Sequence, residues 1–186
     1  MKNIVVFASG AGTNAENIIL YFKNSPIAQV VTVFCNKPDA KVLEKANRHQ
    51  VHTIVFSKEE FQSTLFLEKL TIFQPDLIVL AGFLWKFPEQ IIQAYPNKII
   101  NIHPALLPNY GGKGMYGMRV HQAVLENNDK ETGITIHYVN ENYDEGAIIF
   151  QKSVNIEDCT TADEIADKIH ILEHKYFPEV IEKLLT

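Results

Sequence analysis

The sequence predicts an α/β fold with a Rossmann-like, twisted, mostly parallel sheet and helices on both faces, and three observations predict it. Short aliphatic runs alternate with amphipathic stretches over roughly the first hundred positions. The first run ends in a glycine turn, SGAGTN (Ser9 to Asn14), which leads into a helix. After His103 the rhythm changes to a glycine-rich loop and then two strands with only a turn between them. Alternating strands and helices ask for right-handed βαβ units and parallel pairing. A turn is too short for a parallel crossover, so the C-terminal strand pair is expected to be antiparallel.

In chain order, Ile4 to Ala8 reads as a short buried strand, followed after SGAGTN by a helix carrying Ile18, Ile19 and Phe22. Gln29 to Cys35 is a second strand, and the helix around Asp39 to Arg48 turns Val42, Leu43 and Ala46 inward. Thr53 to Phe56 is a short third strand. From Lys58 to about Phe73, the apolar residues Phe61, Leu65, Phe66, Leu70 and Phe73 read as one helical stripe. Asp76 to Phe83, DLIVLAGF, is the most apolar run and belongs near the middle of the sheet. Pro88 can open the next helix, where its missing N–H costs nothing. Lys98 to His103 is the fifth strand.

Asn109 to Met118, with Gly111, Gly112, Gly114 and Gly117, is expected to be a mobile surface loop, and a helix follows from about Arg119 to Asn127. Thr132 to Val139 alternates cleanly, with Ile134, Ile136 and Tyr138 on one face and Thr135, His137 and Val139 on the other. Asn140 to Gly146 is an acidic turn and Ala147 to Val154 a further strand. Thr161-Ala-Asp-Glu164 is a capping box that opens a helix with Ile165, Ile169, Leu172 and Tyr176 on one face. Pro178 is expected to break that helix and leave a last apolar turn.

The 186 residues suit one domain, 1–186, and the net charge of −5 argues against general nucleic-acid or membrane binding. Cys35 and Cys159 are far apart and in no metal-ligand spacing. The first residues read as a strand rather than a leader, and no apolar run reaches the roughly 20 residues that span a bilayer. A soluble, cytoplasmic protein is the expectation.

The stretch IINIHPALLP (Ile99 to Pro108) organises the chemistry. Residues two apart in a strand share a face, so Asn101 and His103 project together from the mouth of a buried strand. Either both are satisfied by hydrogen bonds and merely hold the next loop, or an amide donor and an imidazole acid converge on one developing charge. In an open parallel sheet, ligands bind beyond the carboxyl ends of the strands. SGAGTN, FLWKF (Phe83 to Phe87) and HPALLP follow the first, fourth and fifth strands, so they share one rim. SGAGTN is either a tight turn with no ligand or a phosphate cradle of backbone N–H groups at a helix N-terminus. A phosphomonoester fits it better than a dinucleotide, because the second strand ends in Cys35-Asn36-Lys37, without the acidic residue that would hold a ribose. Asp144 can approach His103 and raise its pKa, or can serve as an Asx-turn residue, with Glu141 and Glu145 competing for either role. His137, inside a strand, is at least as readily structural. The seven histidines are scattered, with no H-E-x-x-H, so no metal is expected.

SGAGTN, DLIVLAGF, NIHPALLP, GITIHYVNENYDEG and LEHKYFP occur here in the order found in the phosphoribosylglycinamide formyltransferase family, which the chain resembles from about Lys2 to Leu184. The resemblance implies a seven-stranded sheet and formyl transfer from the cosubstrate 10-formyltetrahydrofolate to the primary amine of glycinamide ribonucleotide, in purine synthesis. It implies catalytic roles for Asn101, His103 and Asp144, with Asp144 keeping His103 cationic. Gly12, Thr13 and Asn14 match the part of the family that holds the ribonucleotide phosphate, and His170, Ile171, Leu172 and Glu173 a segment binding the same substrate. Leu84, Trp85, Lys86 and Phe87, with Asn101 and the turn Asn140, Glu141, Asn142, Tyr143 and Asp144, correspond to the folate pocket. Lys58 stands where relatives often carry an arginine near the folate. On this basis residues 1–103 form a phosphate-binding half and 104–186 a folate-side and C-terminal half. Small-molecule substrates are the expected partners, without nucleic acid or membrane, for a monomer or homodimer. Many relatives have a shorter loop after the LLP segment, whereas Asn109 to Met118 carries extra glycines, and Trp85-Lys86 replaces a commoner Met-Arg pair. Methionyl-tRNA formyltransferases share the trio but need an RNA-binding domain and a basic surface, and formyltetrahydrofolate hydrolases usually carry a regulatory domain. A non-catalytic nucleotide-binding module would have no use for the trio.

Overall fold

The computed structural model describes residues 1–186. Its elements are β1 (Lys2–Ala8), α1 (Thr13–Phe22), β2 (Ala28–Cys35), α2 (Lys41–Arg48), β3 (His52–Val55), α3 (Lys58–Gln62), α4 (Thr64–Thr71), β4 (Leu77–Leu80), α5 (Glu89–Ala94), β5 (Ile99–His103), α6 (Met118–Glu126), β6 (Glu131–Tyr138), β7 (Ile148–Asn155) and α7 (Ala162–Leu185). The strands form one seven-stranded sheet in the order β3-β2-β1-β4-β5-β6-β7. Strands β1 to β5 pair in parallel. The antiparallel pairing extends one strand further than expected, since β6 opposes β5 as well as β7. The order reverses about β1, so the crevice opens beyond the carboxyl ends of β1 and β4.

Both faces of the sheet are covered. On one, α1, α2 and the C-terminal α7 bury Ile18, Phe22, Val42, Ile165, Ile169 and Phe177 against alternate residues of the strands. On the other lies an aromatic core in which Phe7 stacks on Phe34 at 4.9 Å between ring centres and meets Phe87 edge-on at 5.0 Å. Such pairs contribute about 0.5–1.5 kcal/mol beyond area burial. This core seats the segment Phe83–Phe87 firmly on the rim.

Two helices differ from expectation. The stripe from Lys58 to Phe73 is not one helix, because Ser63 is extended (φ −81°, ψ 154°) between α3 and α4. Phe61 and Phe66 are both buried while Leu65 is exposed. Five residues apart on a continuous helix, the two phenylalanines would point about 140° from one another. The break lets both rings enter the aromatic core. Conversely, α7 continues through Pro178 to Leu185. The missing proline N–H leaves the His174 carbonyl free, and the Asn17 side-chain amide donates to that carbonyl over 2.7 Å. A contact from α1 thus replaces the helical bond. No helix is long and apolar enough to cross a membrane.

Candidate active site

The crevice is a cleft of about 660 Å³ lined by the loops after β1, β4 and β5, the segment 112–117, α6, the turn after β6 and α7. Its first wall is SGAGTN. Val42 N–H donates to the Gly10 carbonyl over 3.1 Å, pinning the loop to α2. Gly12 caps α1 at φ +70°, and a Cβ there would lie 2.5 Å from Val42 Cβ. Only glycine fits both the dihedral angle and the space. No side chain caps α1, so the N–H groups of its first turn are open to an anion. Buried Asn14 donates through Nδ2 to Glu173 Oε2 over 2.9 Å, while its Oδ1 is buried without a partner. Burial raises the Glu173 pKa above the usual carboxylate value, against the opposing pull of the Asn14 hydrogen bond and His170.

The second wall is the end of β5. Asn101 pairs in register with His137 of β6, and its Nδ2 donates to His137 Nε2 over 3.2 Å. His137 Nδ1 lies 2.8 Å from the Tyr138 carbonyl, an acceptor only, so Nδ1 carries the proton and Nε2 is the acceptor for Asn101. His103 is 3% exposed, and its Nε2 lies 2.8 Å from the Tyr110 carbonyl, which fixes the proton there in the same way. His103 Nδ1 is left facing Asp144 Oδ2 at 3.6 Å. Asp144 Oδ1 is 3.5 Å from Asn101 Nδ2 and 3.6 Å from His137 Nε2, and Oδ2 accepts from Gly112 N–H over 3.0 Å. One carboxylate therefore faces all three side chains and ties down the glycine-rich loop.

The acidic turn divides its side chains between the cleft and solvent. Asp144, in the left-handed region at φ +57°, turns its carboxylate inward. Asn140 Oδ1 makes the local turn bond, to Asn142 N–H at 3.0 Å, and Glu141 and Glu145 are exposed. Asp144 raises the His103 pKa as expected, but a second influence opposes it. Desolvation by burial lowers the His103 pKa below 6.5, outweighing the Asp144 carboxylate and the Tyr110 carbonyl, which raise it. Burial thus disfavours the charged ring in the ligand-free protein, and in the neutral ring the lone pair is on Nδ1. Asp144 itself stays below the usual carboxylate range: burial pushes it up, but Gly112 N–H and the pull of His137 and His103, exerted when those rings carry a proton toward it, prevail.

Gly12, Thr13, Asn14, Leu84, Trp85, Lys86, Phe87, Asn140, Asn142, Tyr143, His170 and Glu173 line the cleft with the trio. Lys58, Glu141, Ile171 and Leu172 do not. Lys58 opens α3 outside the cleft, and Ile171 is 68% exposed on α7. His137, Tyr110 and His121 were not singled out as site residues by sequence. The signal for His137 was its alternation with Thr135 and Val139, but alternation does not tell which residue of the partner strand lies opposite. The third wall, Trp85 to Phe87, offers aromatic side chains and backbone N–H and C=O groups that make no hydrogen bond within the protein. Flat apolar sides with unpaired backbone donors and acceptors suit a heteroaromatic ring such as a pterin.

A switch-point cleft with an anion cradle at one end, an aromatic wall at the other and an amide, imidazole and carboxylate between them fits a group-transfer enzyme. The chain belongs to the formyl transferase family, whose model matches residues 2–181. Among its relatives, phosphoribosylglycinamide formyltransferase of Bacillus subtilis (strain 168) is 38% identical over 100% of this chain and 95% of its own. The protein of that name from Escherichia coli (strain K12) is 35% identical over 96% of this chain and 85% of its own. The crystal structure of glycinamide ribonucleotide transformylase 1 from Geobacillus kaustophilus superposes with a TM-score of 0.89 at 36% identity, covering 100% of both chains.

Proposed function

We infer that this chain is a phosphoribosylglycinamide formyltransferase of purine biosynthesis, transferring a formyl group from 10-formyltetrahydrofolate to the primary amine of glycinamide ribonucleotide. The observation that carries the reading is the meeting of Asn101 Nδ2, His103 Nδ1 and Asp144 within 3.6 Å contacts, between an anion cradle and an aromatic wall. Gly12, Thr13 and Asn14 hold the substrate phosphate through the start of α1, and Glu173 and His170 hold the sugar side. Leu84 to Phe87 and the turn from Asn140 to Asp144 hold the folate, which supplies the formyl carbon and a nitrogen leaving group. The protein works in the cytoplasm on small molecules alone.

An amine attacking a formamide builds negative charge on the formyl oxygen and positive charge on the attacking nitrogen. Asn101, held by His137, donates Nδ2–H to that oxygen as the charge grows. His103 accepts the amine proton at Nδ1, because the Tyr110 carbonyl keeps Nε2 protonated and burial disfavours a charged ring at rest. The imidazolium so formed is stabilised by Asp144 and by the new oxyanion, donates its Nδ1–H to that oxygen, and then returns the proton to the leaving nitrogen. The charge that burial resists at rest is thus created only in the course of reaction.

The test offers the purified protein 10-formyltetrahydrofolate with glycinamide ribonucleotide, formyl-accepting tRNA and water in competition. Formyl transfer to the ribonucleotide amine is the expected result. Transfer to tRNA, or release of formate alone, overturns the reading.

A further inference from the structure

One buried polar group in the cleft has no part in the mechanism above. His121 projects from α6, is 3% exposed, and lines the same cleft as Asn14, His103 and Glu173. Neither of its ring nitrogens makes a hydrogen bond within the protein, and Nδ1 is sealed from solvent as well. Nε2 is therefore the nitrogen left accessible from the cleft. A buried orphan N–H is rarer and costlier than a buried orphan acceptor. The ring therefore keeps its proton on Nε2 and presents an unpaired N–H donor to the space between α6, β5 and α7. Burial, with the neighbouring His170 and His103, lowers its pKa to about 4, so the donor is uncharged at neutral pH.

Such a donor asks for an acceptor oxygen on a ligand. Its neighbours define which one: His103, at the reacting centre, and His170, one turn before Glu173 on α7. Resting on the substrate assignment made above, we propose that His121 Nε2–H donates to the carbonyl oxygen of the glycinamide arm, the group that joins the sugar to the attacking amine. A hydrogen bond there fixes the rotation of the arm and points the amine at the formyl carbon. A neutral donor suits this task, since a cation at this point would repel an incoming ammonium and an acceptor would turn the carbonyl away.

The experiment compares the wild-type protein with His121→Phe, which fills the site without a donor, and with His121→Gln, whose Nε2 amide offers a donor at a similar reach. Dissociation constants for glycinamide ribonucleotide are measured by calorimetry, and KM for each substrate and kcat by steady-state assay. Thermal unfolding is followed without ligand. For His121→Phe the expectation is about a 3- to 10-fold weaker ribonucleotide Kd and a matching rise in its KM. The folate KM is unchanged, and the ligand-free melting temperature is equal or higher, because an unsatisfied buried group has been removed. His121→Gln recovers most of the affinity. Unchanged ribonucleotide Kd and KM in both variants, or an equal loss for both substrates, overturns the proposal. If His121→Phe does not fold, nitrogen-15 spectra of the wild-type histidines decide: a proton on Nε2 that shifts when the ribonucleotide is added supports it, and an Nδ1 proton or an unmoved signal refutes it. A wild-type protein that fails to bind the ribonucleotide at all overturns the functional assignment instead.

Discussion

Asn101 donates its side-chain amide to His137 Nε2 over 3.2 Å, across directly opposed positions of β5 and β6. The histidine can accept only because its other nitrogen gives its proton to the Tyr138 carbonyl at 2.8 Å. The orientation of the amide thus traces back to a backbone carbonyl on the neighbouring strand. Supporting contacts of this kind keep a donor aimed at the place where charge develops.

Asn101→Ala removes the donor proposed to meet the oxyanion. The loss falls on kcat, by about 100- to 1000-fold, with little change in KM for either substrate. Steady-state kinetics read this directly, and a normal kcat removes Asn101 from the mechanism.

His137→Phe leaves Asn101 in place but unaimed, so kcat falls while the double variant with Asn101→Ala is hardly worse than Asn101→Ala alone. A double-mutant cycle measures this coupling. Full additivity of the two losses would show that His137 acts independently of the amide.

Gly12→Ala must force an alanine into φ +70° with its Cβ against Val42. The strain destabilises the fold by about 1–3 kcal/mol, read by denaturant unfolding, and the ribonucleotide KM rises because the cradle shifts. Stability and KM unchanged from wild type contradict the role given to this turn.

Acid sensitivity follows from the buried histidines. An unfolded histidine takes up a proton near pH 6.5, whereas folded His121 resists until about pH 4. The unfolded state binds more protons in that window, so stability falls as pH falls through it. His103 and His174, also lowered by burial, add to the loss, while the raised Glu173 carboxyl opposes it. The His121→Phe protein should lose less stability than wild type between pH 6.5 and pH 4, measured by urea unfolding at each pH. Equal losses refute the assignment.

Much of this was legible in the sequence because periodicity and turn chemistry are local. The parallel half of the sheet, the antiparallel final pair and the shared rim of three loops follow from where apolar runs begin and where glycine and proline interrupt them. The pairing of Asn101 and His103 on one face follows from strand alternation alone. What escaped depends on distant partners. Apolar spacing could not show that Phe61 and Phe66 enter one core through a break at Ser63. Nor could it show that Asn17 would satisfy the carbonyl freed by Pro178. His137 enters the site because β6 lies beside β5, a fact of topology. Whether burial or Asp144 controls the charge on His103 turns on how deeply the ring is packed, which no motif encodes.

The most direct measurement is the single-turnover rate of formyl transfer by Asp144→Asn across pH 5 to 9, beside wild type. With His103 as the proposed neutral base, the wild-type rate is expected to fall as pH drops through its pKa, which burial holds below the usual histidine value. Removing the carboxylate takes away the influence that raises that pKa and the partner of the imidazolium formed during reaction. The plateau is expected to drop by about 100-fold or more, and the acid limb to move to lower pH. An unchanged plateau and an unmoved limb would show that Asp144 and His103 do not work as a pair.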